Sequence, residues 1–221
     1  LDTSRGLGDV YKRQALNKPE GIASHGGSGI SIGVIETIRN FGKSYRDAKL
    51  VHRLDKDTSG CQVIAKNNKF LRNCNKLISE RKVKKTYQAI VHGNWIHKDG
   101  IYEINIEKNM LIGKERMVRI SDGGKIAKTF FKVIESSKHF SLIQCELITG
   151  RTHQLRVHLS ELGFPIVGDK KYGIKENKLP SSSGHKKRMY LHANSFISKD
   201  LNIHINVKPP KEFKKILKND E

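Results

Sequence analysis

The sequence predicts an α+β fold: a mixed, mainly antiparallel sheet with flanking helices. Short runs of period-two alternation dominate its second half. A few segments carry helical spacing of apolar residues instead. No apolar run approaches the roughly 18 residues that a bilayer-crossing helix needs.

Several elements can be placed in order along the chain. Leu1 to Gln14 (LDTSRGLGDVYKRQ) shows neither period and resembles translated adapter sequence, so it is expected to be foreign or disordered and outside the fold. The domain is expected over residues 15–221. Asn17-Lys18-Pro19-Glu20-Gly21 signals a turn. His25-Gly26-Gly27-Ser28-Gly29 is a loop whose backbone N–H groups suit a phosphate, although it lacks the P-loop pattern. Ser31 is the expected N-cap of a helix through Val34, Ile35, Ile38 and Phe41. Cys61–Ala65 reads as a short strand, and Phe70, Leu71, Cys74, Leu77 and Ile78 fall on one helical face. Thr86–His92 is a strand, and residues 129–135 and 140–148 form a hairpin. A helix follows from about Thr152, with Leu155, Leu159 and Leu162 inward and Gly163 as its stop. Residues 191–197 and 201–207 make the last strand pair, and Phe213, Ile216 and Leu217 a closing helix. Lys175 to Lys187 reads as an exposed loop.

Composition narrows the class of partner. The 221 residues hold 42 Lys+Arg against 22 Asp+Glu, a formal charge of +20. An excess that large repels itself in a compact fold, so a polyanionic partner is expected. Basic residues cluster at Arg81-Lys82-Val83-Lys84-Lys85, Lys170-Lys171, Lys186-Lys187-Arg188 and from Lys208 to Lys218. Charge alone separates neither RNA from DNA nor nucleic acid from acidic lipid. Cys61, Cys74 and Cys145 are widely spaced, which fits a reducing compartment and argues against both a disulfide framework and a Cys-rich zinc site. No H-E-x-x-H occurs, and no metal is expected. The first residues lack the apolar segment of a signal peptide, and a soluble, cytoplasmic monomer is the expectation.

Three constellations can carry chemistry. In His52-Arg53-Leu54-Asp55-Lys56-Asp57-Thr58-Ser59-Gly60, Asp55 lies between basic residues just ahead of a turn. Such a carboxylate can serve as nucleophile or general base. The plainer alternative is an Asp-Thr-Ser-Gly turn with ordinary side-chain-to-backbone bonds, which Asp57 fits better than Asp55. In Thr149-Gly150-Arg151-Thr152-His153-Gln154-Leu155-Arg156, Arg156 lies at the edge of a buried helix face and needs a carboxylate partner; Asp55 is one candidate. The alternative is a basic face touching RNA phosphates. In Lys84-Lys85-Thr86-Tyr87, Tyr87 follows a basic cluster on a strand and can stack under a base, or can be a core residue.

Together these motifs resemble the RluA-type pseudouridine synthases from about Ala15 to the end. HRLDKDTSG is similar to that family's catalytic motif, KTY to its tyrosine motif, and GRTHQLRVH with the following Gly163-Phe164-Pro165-Ile166-Val167-Gly168-Asp169 to its arginine motif. Leu191-His192-Ala193 matches a further signature. NKPEGIASHGGSGISIGVIETIR and Gly113-Lys114-Glu115-Arg116-Met117-Val118-Arg119 look most like the RluC branch, which modifies large-subunit (23S) ribosomal RNA in bacteria; a transfer-RNA target within the same family and a non-catalytic RNA-binding module of ribosome assembly are the alternatives. The resemblance implies an active-site cleft, Asp55 as catalytic residue, Tyr87 stacked beneath the uracil and Arg156 paired with Asp55. It also implies Arg53 in the gap left by a flipped base, with Arg151, His153, Lys84 and Lys85 among the RNA contacts. The reaction is an isomerisation, so no cofactor is implied. Members usually carry an amino-terminal RNA-binding domain and a strand ahead of the NKP turn; both are expected to be missing here.

Overall fold

Strand β3 (Ser59–Ala65) is buried along its whole length and organises the first of two units, Leu1–Lys85 with His192–Pro209. A computed structural model describes residues 12–27, 31–112, 115–174, 188–218 and 220, with backbone alone at 108–112, 115 and 116. β1 (Arg13–Lys18) lies antiparallel to β3, from Arg13 opposite Ala65 to Lys18 opposite Gly60, and β2 (Lys49–Leu50) also pairs with β3. β9 (Leu191–Ser198) joins β3 in parallel through Ser59↔His192 and Gly60↔Ala193, and β10 (Ile203–Asn206) runs antiparallel to β9. Helix α1 (Val34–Arg39) closes a core of Leu16, Val34, Ile35, Ile38, Ala48 and Ile64. In α2 (Asn68–Ser79), Phe70, Cys74 and Leu77 face inward, and the Asn67 side chain accepts the Phe70 N–H at 2.8 Å as its cap.

Three sequence expectations change in this unit. A strand does lead into the predicted turn, and it takes in Arg13 and Gln14 as well as Asn17 and Lys18. Sheet pairing needs only backbone N–H and C=O groups, and Arg13 adds guanidinium bonds to the Leu201 and Asn202 carbonyls at 3.2 Å each. Gly33, not Ser31, caps α1, and Phe41 lies beyond the helix, 63% exposed. The Gly-rich loop is no phosphate cradle at Gly26 and Gly33: both amides donate to the Glu36 carboxylate, at 3.1 and 2.9 Å. Residues 28–30 of that loop, like those of the 175–187 loop, lie outside the described set.

The second unit, Thr86–Leu191 with Pro210–Glu221, is wholly antiparallel. Its strands follow the order β4 (Lys84–His92), β8 (Phe140–Leu147), β7 (Lys125–Ser136), β5 (Gly100–Ile112), β6 (Glu115–Ile120). Ile106, Val118 and Ala127 on one face pack with Val157 of α3 (Gln154–Glu161). Ile90, Phe140 and Leu142 on the other pack with Phe213, Ile216 and Leu217 of α4 (Glu212–Lys218). Beyond α4, Asp220 accepts from Ser137 Oγ at 2.6 Å and the His139 amide at 2.7 Å, fastening the tail to the β7–β8 turn.

The close approach of β3 and β9 explains Gly60. Its φ is +110°, and a Cβ there would lie inside van der Waals contact of the Ala193 backbone. Gly60→Ala is therefore expected to cost about 3 kcal/mol, the sum of positive-φ strain and overpacking, read as a lower urea midpoint at unchanged m-value. Next to it, His192 accepts a bond from Ser59 Oγ (2.9 Å) on Nδ1 and donates from Nε2 to the Val207 carbonyl (3.2 Å). The Thr-Ser-Gly and Leu-His-Ala signatures are the two sides of one strand junction.

Candidate active site

The Asp55 loop is fixed from its backbone. Thr58 N–H donates to the Asp55 carbonyl at 3.1 Å, so the turn reading of Asp55–Thr58 is correct as local structure. Ser24 Oγ accepts the Leu54 N–H at 3.0 Å and lies 2.7 Å from the Leu54 carbonyl oxygen. Gln62 Nε2 donates to the His52 carbonyl. Lys18, only 1% exposed, donates its ammonium to the carbonyls of Pro19, Ile22 and Lys56 at 2.8, 2.8 and 3.0 Å. A buried ammonium is tolerated because three oxygens take its three protons. Leu54 is buried, Asp55 half-buried, and Arg53, Lys56 and Asp57 are exposed. The side chain that could react thus stands on a loop that has little freedom to move.

His52 is structural. Its Nε2 accepts the Val63 N–H at 3.1 Å, and its ring stacks on Phe196 with centroids 5.2 Å apart. Burial, helped by the charge of Lys85, lowers its pKa to about 3. Lys85 is half-buried and its own pKa is lowered by burial; Lys84 is exposed.

Arg156 anchors the candidate group in the second unit. It is 7% exposed on α3, and it donates from Nε to Asp169 Oδ2 and from Nη2 to Asp169 Oδ1, both at 2.7 Å. Asp169 Oδ1 also accepts the Lys171 and Tyr172 amides at 2.8 and 3.1 Å. Burial alone would raise the Asp169 pKa; the Arg156 bonds and charge, with the two amides, outweigh it and hold the carboxyl below its ordinary value. The carboxylate partner that a buried arginine requires is present in Asp169.

The turn into α3 is held by Gln154, 2% exposed. Its Oε1 accepts Thr149 Oγ1 (2.8 Å) and the Arg151 N–H (2.9 Å), and its Nε2 donates to the Lys128 carbonyl and Thr129 Oγ1 (3.0 Å each). All four amide bonding positions are filled. Arg151 is exposed and donates from Nε to the Ile126 carbonyl at 3.1 Å. His153 caps α3 in a left-handed conformation (φ 52°), with Nδ1 2.8 Å from the Tyr172 hydroxyl. Tyr87 is 7% exposed on β4, opposite Cys145. The cysteines are poor nucleophile candidates: burial pushes the Cys61 thiol up to about 12 and the Cys74 thiol up to about 11. The sequence reading missed Lys18, Ser24, Gln62, Gln154 and Asp169. Only Lys18 carried a signal, a cation directly ahead of Pro19-Glu20-Gly21.

Residues 14–161 match the family model described as RNA pseudouridylate synthase. The chain belongs to the RNA pseudouridylate synthase family. Asp55, Tyr87 and Arg156 all fall within the matched stretch of this synthase family, and Asp169 lies beyond it. Ribosomal large subunit pseudouridine synthase C of Escherichia coli (strain K12) is 43% identical over 180 residues, covering 80% of this chain and 56% of that protein. The protein of the same name in Pasteurella multocida (strain Pm70) is 43% identical over 178 residues, 80% of this chain and 55% of its own. The chain therefore spans little more than half the length of these relatives. Two solved human structures share the fold. RNA Pseudouridylate Synthase Domain Containing 4 is 27% identical with a TM-score of 0.76, covering 96% of this chain and 91% of its own. Domain Containing 1 is 25% identical with a TM-score of 0.71, covering 95% and 87%. No described helix is long and apolar enough to cross a membrane.

Two buried histidines of this synthase-family chain set an acid limit. Burial lowers His158 to about 4, as it lowers His52 to about 3, from an ordinary 6.5. Both bind a proton more weakly folded than unfolded, so the unfolded chain takes up more protons below pH 6.5 and stability falls as pH drops toward 4. Unfolding free energies measured from pH 7 to 4.5 are expected to show this, with a slope approaching about two protons per molecule near pH 5.

Proposed function

We propose that the chain is the catalytic part of a pseudouridine synthase, an isomerase acting on uridines of bacterial 23S ribosomal RNA. The observation that carries the reading is Asp55: a half-buried carboxylate on a loop pinned by Lys18, Ser24 and Gln62, within the stretch that matches the family. A fixed carboxylate suits a reaction whose transition state demands exact placement of one group.

The isomerisation breaks the N1–C1′ bond, rotates the uracil, forms the C5–C1′ bond and moves a proton from C5 to N1. Nothing is oxidised or reduced, and no cofactor is required. Asp55 begins it as a carboxylate, by attack at C1′, by addition at C6, or as the base of a glycal route. Arg156 places Asp55. Tyr87 lies beneath the uracil. The target base leaves its stack to reach Asp55, at a cost of a few kcal/mol that contacts elsewhere offset. Arg53 fills the gap, and Arg151, His153, Lys84 and Lys85 contact the RNA, where phosphate bonds position the strand without reading it. The protein works as a monomer, and ribosomal RNA as substrate places it in the bacterial cytoplasm.

Incubating the chain with unmodified 23S RNA and with transfer RNA, followed by chemical mapping of pseudouridine, tests this. New pseudouridines in 23S RNA are expected. Product only in transfer RNA would move the substrate, and tight RNA binding without product from either would favour an assembly module.

A further inference from the structure

Tyr172 touches more of the second unit's candidate group than any role so far explains. Its hydroxyl accepts the Val118 N–H at 3.0 Å. Val118 sits on β6, which ends the strand order of its sheet, so this N–H points away from β5 and needs a partner off the ladder. The same hydroxyl lies 2.8 Å from Nδ1 of His153, the residue that opens α3. At the other end, the Tyr172 N–H donates to Asp169 Oδ1 at 3.1 Å and its carbonyl accepts Ser160 Oγ at 2.8 Å. Between these ends the ring lies beneath the Arg156 guanidinium, 5.1 Å from Cζ to centroid.

We propose that Tyr172 is a positioning residue that couples the β5–β6 pair to Arg156: where β6 lies determines how the guanidinium is held. The inference rests on the role given to Arg156 above. Asp169 fixes the guanidinium through two parallel bonds. The tyrosine ring supplies a second contact, and the ring is itself set by β6 through its hydroxyl. Purely apolar packing would not need a hydroxyl that bonds a strand edge and a helix cap together. Arg119 is exposed on the same strand, next to Val118, so a polyanion drawn to it bears on the strand that Tyr172 senses. Engagement of RNA at this strand and placement of Arg156 are then one event.

Tyr172→Phe in the full chain isolates the hydroxyl and keeps the ring. Loss of one neutral hydrogen bond predicts amide exchange at Val118 faster by about fivefold to tenfold. The Arg156 Nε–H resonance should shift in the same variant without any RNA present. With 23S RNA, kcat should fall about tenfold while KM stays within about threefold, the split expected when a placed group rather than a binding contact is disturbed. In an Arg156→Lys background the same substitution should have little further effect, because both act through one contact. An unchanged Arg156 resonance with faster Val118 exchange would overturn the coupling and leave Tyr172 as an edge cap. Additive losses of kcat in the double variant would overturn it as well. If the wild-type chain formed no pseudouridine, the functional reading would fall, whereas the exchange and resonance measurements would still decide the coupling.

Discussion

Asp55→Asn is expected to lower pseudouridine formation by more than about a thousandfold, since an amide is neither a usable nucleophile nor a base at neutral pH. The amide has nearly the same shape as the carboxylate. The bonds from Lys18, Ser24 and Gln62 fall on the backbone of Lys56, Leu54 and His52, so the loop should keep its form. Melting temperature and RNA affinity should therefore stay close to wild type, with affinity within about threefold because phosphate contacts dominate it. Chemical mapping gives the first quantity and filter binding the second. Turnover within tenfold of wild type would sink the assignment of Asp55.

Asp169→Asn should produce the largest loss of stability. Asp169 is 1% exposed and takes four bonds, two of them from Arg156. Removing one partner of a buried ion pair leaves the other charge uncompensated, a cost of about 3–5 kcal/mol. The unfolding midpoint in urea should drop accordingly. Its pH dependence should change too. The folded Asp169 pKa lies below the unfolded 3.8, so the wild-type pair stabilises fully above that value and fades as pH falls through the folded pKa. The variant should lack this acid-sensitive component. Because Asp169→Asn can fail by unfolding alone, the double replacement Arg156→Met with Asp169→Leu is the control. Apolar groups of similar volume often match a buried pair in stability, so this variant should fold and yet make no pseudouridine. A folded, active double variant would remove Arg156 from the chemistry.

The sequence was most legible where the pattern is local. The face of Phe70, Cys74 and Leu77 gave α2, and the alternation of Ile203 and Ile205 with His204 and Asn206 gave β10. The turn at Asp55–Thr58 was readable for the same reason. The β5–β6 pair went unread although Tyr102, Ile104 and Ile106 alternate with Glu103, Asn105 and Glu107; Ile101, apolar yet 62% exposed, blurs the period at its start. What pins the Asp55 loop could not be read, because Ser24 and Lys18 act across 30 and 38 residues, and nothing local distinguishes a serine that bonds a distant backbone from one in solvent. Arg156 illustrates the middle case. Burial demanded a carboxylate, but several were available, and only the fold puts Asp169 two bonds away.

The pairing of β3 with β9 also has a temporal side. Ser59 and His192 are 133 positions apart, and the whole second unit apart from its last segment is strung between them. During synthesis at about 5–20 residues per second, the strand that follows Asp55 waits on the order of ten seconds for its parallel neighbour to leave the ribosome. Through that interval β3 keeps an edge open at Ser59 and Gly60, the kind that pairs with foreign chains. The second unit meanwhile has its five strands in hand. The unit that bears Asp55 thus stays open until its second segment, His192–Pro209, emerges, and yield during expression should be governed by how well that nascent edge is shielded.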